Sequence, residues 1–226
     1  MNLFGYLLDG ANWPGGGKIL DLALQHLLYT AGAVLLAAVV AIPLGTLIGH
    51  TGRGSSLVAG LSNAARAIPS LGLLFLAVML LGAGVGNIVV VLALLALPGI
   101  LAATAAGVSG SDRSAVHAGR ALGMTERQLV TQVEWPLALP QVVSGVRSAT
   151  LQVVATATVA AFAAGGGLGR LLTRGQAQAD YPQMFAGAVL VAALAAVAYL
   201  LLGLAGRGAA RRARPRSRTI AAASAA

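Results

Sequence analysis

Long apolar stretches make up most of this chain, and their length restricts what it can fold into. Five such stretches alternate with polar or glycine-rich intervals and cover residues 20–49, 67–81, 87–108, 141–163 and 184–204. A helix of about 20 apolar residues crosses the hydrocarbon core of a bilayer, and the second stretch is close to the lower limit. With 58% hydrophobic and 9% charged residues, the chain has more apolar surface than a soluble domain needs for its core. We therefore expect an all-α integral membrane protein with about five transmembrane helices.

The polar interval after the third apolar stretch, residues 112–140, has the pattern of two short helices that meet at a glycine. Ser114 is the predicted N-cap of the first helix, and Gly123 lies where a residue of positive φ would close it. Thr125 and the glutamine three residues later match a capping box, in which each side chain satisfies a backbone donor. Pro136 is then expected to end or kink the second helix, because proline has no amide proton.

This interval resembles the EAA loop of ABC importer permeases. It contains His117-Ala118-Gly119, three further residues, Gly123 and an apolar run ending in Leu139-Pro140. The family has Glu-Ala-Ala, three residues, Gly and a run ending in Leu-Pro, and its helix-turn-helix inserts into a groove of the cytoplasmic ATPase. The resemblance implies that the following residues couple the chain to an ATPase: His117, Ala118, Gly119, Gly123, Met124, Thr125 and Glu126.

The sequence departs from the family pattern at two positions. His117 stands where the family has glutamate, and Gly119 stands where it has alanine. A neutral imidazole cannot replace a carboxylate that faces an arginine, so the polar contact made at position 117 must differ. Taken alone, the interval is also compatible with an ordinary amphipathic cytoplasmic loop.

Four further segments resemble one branch of this family, the osmoprotectant permeases, which import glycine betaine, carnitine, choline and related quaternary amines. They are Ile68-Pro69-Ser70-Leu71, Gly145-Val146-Arg147-Ser148-Ala149, Ala157-Thr158-Val159-Ala160-Ala161-Phe162 and Gly165-Gly166-Gly167-Leu168-Gly169. The resemblance implies a permease fold of the methionine-importer type and three kinds of partner: a second permease subunit, the same or a related chain; cytoplasmic ABC ATPase subunits; and an extracytoplasmic substrate-binding protein. It also implies that the chain itself binds no cofactor, since ATP is bound by the partner ATPase.

A polar stripe runs along the fourth apolar stretch. Ser144, Ser148, Gln152 and Thr156 recur at every fourth position, so they share one face of a helix. In a membrane such a stripe either joins helices by hydrogen bonds or lines a hydrated path, and the pattern is compatible with both. Our hypothesis for a translocation path comprises Pro69, Ser70, Ser148, Gln152 and Thr156.

The glycine cluster after the fourth apolar stretch is our hypothesis for a gate loop. It comprises Gly165, Gly166, Gly167 and Gly169. A phosphate-binding loop is excluded, because the cluster lacks the Gly-Lys-Ser/Thr ending and no strand precedes it.

Basic residues suggest the orientation of the chain. Lysine and arginine number 15 against 6 aspartates and glutamates, and arginines crowd the polar interval and the C-terminal tail. By the positive-inside rule both regions face the cytoplasm, which puts the N-terminus outside a bacterial cytoplasmic membrane; Arg170 and Arg174 do not fit this rule. The expected regions are an interfacial segment (1–19), a transmembrane permease domain (20–206) with a coupling segment (111–140), and a basic cytoplasmic tail (207–226).

The basic tail and the few aromatic residues indicate what the tail contacts and where the solute is recognised. No aromatic residue is interleaved with the tail arginines, so we interpret the tail as contacting anionic lipid headgroups rather than nucleic acid. Quaternary amines are usually held by aromatic cages, yet only 4% of the residues are aromatic. Phe75, Phe162 and Tyr199 are interpreted as packing residues, so solute specificity is expected to reside in the binding protein.

Three other functions compete with this interpretation. The chain can be an importer permease for a different solute, such as an amino acid, a sulfonate or a thione betaine. A membrane enzyme is disfavoured, because no apolar stretch brings a carboxylate, a histidine and a serine together, and His26 is better explained as a packing or surface residue than as a metal ligand. A purely structural scaffold does not explain the capping box, the glycine turn and the polar stripe.

Overall fold

The computed structural model describes residues 3–163 and 165–213, and helices are the regular elements found there. The α-helices of this part of the chain are α1 (Gly5–Leu8), α2 (Ile19–Thr51), α3 (Ser55–Ala67), α4 (Ser70–Leu81), α5 (Val85–Ser109), α6 (Arg113–Ala121), α7 (Glu126–Gln128), α8 (Trp135–Ala160), α9 (Gly169–Gln178) and α10 (Tyr181–Ala213). Short 3-10 turns lie at Gly10–Asn12 and Ala161–Ala163, and a π-helix occupies Leu129–Glu134. Most of the predicted basic tail, from position 214 onward, lies outside the described residues.

Four helices of the described chain are long and apolar enough to cross a membrane. They are Ile19–Thr51, Val85–Ser109, Glu126–Ala163 and Tyr181–Arg207. Each contains one of the predicted apolar stretches and extends beyond it. The predicted all-α integral membrane fold is therefore confirmed.

The second apolar stretch does not form one span. The chain breaks at Ile68 and Pro69, which have extended backbone angles, and α4 starts at Ser70. With 12 residues, α4 is about 18 Å long at 1.5 Å per residue, shorter than a hydrocarbon core of about 30 Å. Proline causes the break, because it disfavours helical geometry in the residue before it.

Helix α5 lies at the centre of the bundle and packs against both α2 and α8. Its residues Leu92, Ala96 and Ile100 are fully buried. The face of α2 toward α5 carries small residues at four-residue spacing. A Cβ on Gly45 would lie 2.7 Å from the Thr104 Cβ, and one on Gly49 would lie 2.6 Å from the Ala105 carbonyl oxygen. The small residues therefore allow α2 and α5 to pack closely.

Replacing Gly45 by alanine is expected to destabilise the bundle. The added methyl group meets Thr104 and the carbonyl oxygen of Leu101, so α2 and α5 must separate, at a cost of about 1–3 kcal/mol. Gly32→Ala is the matched control, since its Cβ would meet only the Val89 side chain, at 3.4 Å. Thermal unfolding in detergent should show a lower Tm for Gly45→Ala than for Gly32→Ala. Equal Tm values would contradict close packing of α2 against α5 at Gly45.

Candidate functional site

The polar interval forms a helical hairpin, which we call the coupling hairpin and define as residues 112–134. Its first arm is α6. Asp112, not Ser114, is the N-cap, because its carboxylate accepts a hydrogen bond from the Ser114 amide at 2.9 Å and another from the Ser114 hydroxyl. Ser114 instead lies within the first turn. These two bonds, from the hydroxyl first, lower the pKa of the Asp112 carboxyl.

The turn of the coupling hairpin has the predicted geometry. Gly123 adopts φ +79°, and its amide donates to the Arg120 carbonyl oxygen at 3.0 Å. Thr125 then caps the second arm. Its hydroxyl accepts from the Gln128 amide, while the Gln128 side chain accepts from the Thr125 amide at 2.8 Å. The left-handed glycine and the capping box fix the direction in which the second arm leaves the turn.

The second arm continues into the membrane span. Pro136 does not end this helix, so that part of the prediction is wrong; the backbone shifts into π register directly before the proline and the helix continues. In that register the Trp135 amide donates to the Val130 carbonyl oxygen, five residues earlier. Residues 126–163 therefore form one continuous helical element that links the hairpin turn to the far side of the bundle.

Gly119 lies at the contact between the two arms and is buried. A Cβ at this position would be 2.7 Å from Leu129 Cδ2 and 3.0 Å from Met124 Sδ. Leu129 is itself fully buried. The departure from the family's alanine therefore allows closer packing of the arms, with Leu129 and Met124 filling the space.

The coupling hairpin is joined to α2 through a cluster of ionisable side chains that is shielded from water at His50 and Glu134. His50, at the C-terminal end of α2, has Nδ1 2.7 Å from Glu134 Oε2 and Nε2 3.2 Å from Glu126 Oε2. A carboxylate only accepts hydrogen bonds, so both ring nitrogens are satisfied when the imidazole carries two protons. The Glu134 side chain is 7% exposed and that of His50 is 14% exposed, so water screens this pair little.

A second ion pair extends the cluster to the first arm. Arg120 donates through Nε and Nη2 to the two carboxylate oxygens of Glu126, at 3.3 and 3.1 Å. Glu126 raises the pKa of Arg120, first through this hydrogen bond and then through its charge. Both side chains of this pair are largely exposed, so the pair orients the arms more than it stabilises them. The cluster as a whole links α2, α6, α7 and the π-helix.

The outer face of the coupling hairpin is available to a partner. His117, Ala118 and Gly123 are exposed, and Leu122 at the turn is 84% exposed. His117 also lines a cavity of about 360 Å³ between the hairpin and the ends of α2 and α5, together with Arg113. An apolar side chain at an exposed tip, surrounded by polar groups, is typical of a protein contact.

The polar stripe of α8 lines a cavity that is open to the outside of the chain. Ser144, Ser148 and Gln152 border a volume of about 360 Å³, opposite small residues of α5 that include Gly99. Thr156 is not part of this lining, and its hydroxyl donates to the Gln152 carbonyl oxygen at 2.8 Å. Pro69 and Ser70, the other proposed path residues, lie at the break before α4.

The four glycines of the proposed gate loop are buried and packed closely against neighbouring backbone or α2. A Cβ on Gly166 would lie 2.6 Å from both the Gln25 Oε1 and the Tyr29 hydroxyl. Gly167 has φ +74° and lies against His26. The His26 ring is fully buried, with Nε2 3.1 Å from the Val154 carbonyl oxygen. His26 is thus a packing residue between α2, α8 and this loop.

Arg174, which the charge rule left unexplained, has a structural partner. Its Nη1 donates to the Gly17 carbonyl oxygen at 2.8 Å, which fastens α9 to the segment before α2. Arg170 is exposed. Helix α9 was not predicted, because residues 169–178 have no cap signature at either end.

Sequence reasoning missed His50 and Glu134, whose side chains meet although 84 positions separate them. No local pattern distinguishes such a pair. The one signal was the presence of a carboxylate immediately before an apolar run, where a charge is costly unless it is paired.

Comparison with known proteins assigns the family. Residues 41–219 match the model of the family described as binding-protein-dependent transport system inner membrane component. The chain is 33% identical to the carnitine transport permease protein OpuCD of Listeria monocytogenes, over 83% of this chain and 85% of that protein. It is 33% identical to the choline transport system permease protein OpuBB of Bacillus subtilis, over 85% and 88%. It is 34% identical to the osmoprotectant import permease protein OsmW of Salmonella typhimurium, over 89% and 94%.

Solved structures support the fold. The inward-facing MetNI methionine ABC transporter superposes with a TM-score of 0.71 at 24% identity, over 85% of this chain and 94% of that one. An amino acid ABC transporter superposes with a TM-score of 0.59 at 20% identity, over 85% and 92%. The chain therefore belongs to the inner membrane components of binding-protein-dependent transport systems and is a permease of an ABC importer.

Proposed function

We propose that this permease moves quaternary-amine osmoprotectants, namely glycine betaine, choline and carnitine, into a bacterial cell. The observation that carries the proposal is the similarity to permeases named for carnitine, choline and osmoprotectants, at 33–34% identity over more than four-fifths of this chain. The osmoprotectant-like segments noted in the sequence lie on α8, in the following glycine loop and at the break before α4.

The permease works with other chains in this proposal. Cytoplasmic ABC ATPase subunits bind and hydrolyse ATP, a second copy or a related permease completes the path, and an extracytoplasmic protein delivers the solute. The permease is not itself an enzyme and binds no cofactor. The exposed hairpin face around His117 and Leu122 supports docking to the ATPase, since it presents an apolar tip on a rigid helical turn.

The orientation follows from the position of charged residues. Arg53, Arg113, Arg120 and Arg127 lie in or near the coupling hairpin and the loop after α2. By the positive-inside rule this end faces the cytoplasm, so the N-terminus lies outside and the tail inside the cytoplasmic membrane. Because α2 and α5 both end at the cytoplasmic side, α3 and α4 together take the chain back across the membrane between them. The tail contacts anionic lipid in this arrangement.

ATP binding drives transport through the coupling hairpin in this mechanism. Closure of the ATPases displaces the hairpin, and the displacement passes along the continuous helix 126–163 and through His50 into α2. Relative motion of α2, α5 and α8 then opens the cavity beside the polar stripe alternately to each side. A helix transmits such a movement because the hydrogen bonds along its backbone hold its residues together as one body.

The solute is recognised chiefly outside this chain. The described cavity beside the stripe is bordered by two hydroxyls, two side-chain amides and small residues rather than by aromatic rings. The guanidinium of Arg147 covers the ring of Tyr199, so this ring is not free to contact a solute. A path of this kind gives a quaternary ammonium no aromatic cage, so it releases the solute readily and leaves selection to the binding protein.

The test is ATP-dependent uptake by the permease reconstituted in proteoliposomes with its ATPase, second permease and binding protein. Radiolabelled glycine betaine, choline and carnitine should accumulate, while methionine serves as the amino acid control. Accumulation of methionine without any of the three amines would overturn the solute assignment and favour an amino acid importer.

Replacing Gln152 by leucine is expected to reduce uptake about tenfold, because a moving solute loses one polar partner worth about 1.4 kcal/mol. Thr156→Val is the matched control on the same stripe, since Thr156 does not border the cavity and bonds to its own helix. Uptake and assembly are measured together in proteoliposomes. If Gln152→Leu instead loses the assembled complex, the stripe joins subunits and the path hypothesis fails.

A further inference from the structure

Arg147 carries a permanent positive charge into a membrane-spanning helix. It lies in α8, two turns beyond Pro140, and none of the ion pairs formed by the described residues includes it. An arginine inside a membrane is costly unless a neighbouring group or a headgroup neutralises it. The surroundings of Arg147 therefore indicate what the counter-charge is.

The guanidinium of Arg147 is held in place but not neutralised. Its Cζ lies 3.1 Å from the centroid of the Tyr199 ring. On its other side a Cβ on Gly203 would lie 3.1–3.3 Å from the guanidinium atoms, so the guanidinium packs closely against this glycine. The buried Nε makes no hydrogen bond within the described part of the chain. A ring and a glycine orient the planar cation without supplying negative charge.

A second arginine faces the same space. Arg147 and Arg207 border a cavity of about 210 Å³ between α8 and α10, together with Ser144, Gly203 and Gly206. The lining residues described for this cavity include no carboxylate. Gly203 and Arg207 are one helical turn apart, about 6 Å along α10. Two guanidinium groups and a hydroxyl thus provide hydrogen-bond donors around a volume in which the described residues place no negatively charged group.

We propose that this cavity binds the phosphate group of an anionic phospholipid. Guanidinium groups match phosphate oxygens with paired hydrogen bonds. The lipid source is favoured over soluble phosphate because the adjoining surface of α10 is apolar and exposed: Val197 is 52%, Leu200 61% and Leu204 60% exposed. Acyl chains cover that surface while the headgroup phosphate enters between α8 and α10.

The site is tested on the complete transporter by native mass spectrometry in detergent. The complex is incubated with phosphatidylglycerol, with phosphatidylcholine, or with inorganic phosphate alone, and bound lipid is counted. Arg207→Gln removes one charge from the cavity at an exposed position, so folding is retained. Arg53→Gln is the matched control, since it removes the same charge from an exposed loop at the hairpin end of the bundle.

The unmodified complex should retain phosphatidylglycerol in preference to phosphatidylcholine. Arg207→Gln should weaken that retention about fivefold, as expected for one arginine near anionic lipid, and Arg53→Gln should not. Arg147→Lys should weaken it too, because lysine loses the planar pairing and the stacking on Tyr199. Equal retention in Arg207→Gln and Arg53→Gln would overturn the site, and displacement of lipid by millimolar inorganic phosphate would overturn the lipid assignment. If the intact complex retains no lipid, as expected when a carboxylate of another subunit fills the cavity, the proposal is overturned as well.

Discussion

Replacing Gly123 by proline is expected to lower ATP-driven uptake at least about 100-fold, which corresponds to about 2.7 kcal/mol in the coupled step. Gly123 has φ +79°, and proline is fixed near −65°. Proline also removes the amide that donates to the Arg120 carbonyl oxygen. The two arms of the coupling hairpin must then leave the turn in a different direction. Uptake into proteoliposomes and binding of the ATPase subunit are the measurements.

Gly123→Asn is the control for this substitution. Asparagine tolerates left-handed backbone geometry, and a Cβ at position 123 meets no atom within 4 Å. It should therefore retain most of the uptake. If proline at position 123 supports uptake comparable to that with asparagine, the hairpin geometry is not required for coupling.

Replacing His50 by alanine is expected to lower the free energy of unfolding by about 3 kcal/mol and to uncouple ATP hydrolysis from uptake. The buried carboxylate of Glu134 loses its imidazole partner, and α2 loses its side-chain link to the coupling hairpin. The hairpin can still bind to the ATPase subunit, so ATP hydrolysis continues while solute uptake falls. Stability is measured by thermal unfolding in detergent, and ATP hydrolysis and solute uptake are measured in proteoliposomes.

Two further variants test whether the loss of the His50–Glu134 contact causes the loss of stability. His50→Ala combined with Glu134→Gln should recover most of the lost stability, because the unpaired charge is removed. His117→Ala, at an exposed histidine of the same hairpin, should change the free energy of unfolding by less than about 0.5 kcal/mol. A loss in His117→Ala as large as that in His50→Ala would show that the pair with Glu134 is not responsible.

Features set by neighbouring residues were predictable from the sequence. The capping box at Thr125, the left-handed turn at Gly123 and the apolar spans depend on short-range backbone and solvation preferences. Where two local rules compete, the prediction was wrong. Asp112 displaced Ser114 as the N-cap because a carboxylate accepts more strongly from backbone amides, and the π-helix absorbed the missing donor of Pro136.

Contacts between distant residues could not be predicted. His50 meets Glu134, and Arg147 covers Tyr199, because tertiary packing brings separate helices together. The sequence pattern placed Ser144, Ser148, Gln152 and Thr156 on one face, but the structure places only the first three at the cavity. The path and gate assignments thus remain predictions that depend on the arrangement of a second subunit.

Simultaneous measurement of solute uptake and ATP hydrolysis in the same proteoliposomes tests the central claim most directly. The reconstituted complex should accumulate radiolabelled glycine betaine or choline only when ATP is present, and Gly123→Pro should lose uptake while the ATPase still turns over. Uptake that is unchanged by the removal of ATP, or that persists in Gly123→Pro, would contradict coupling through the hairpin.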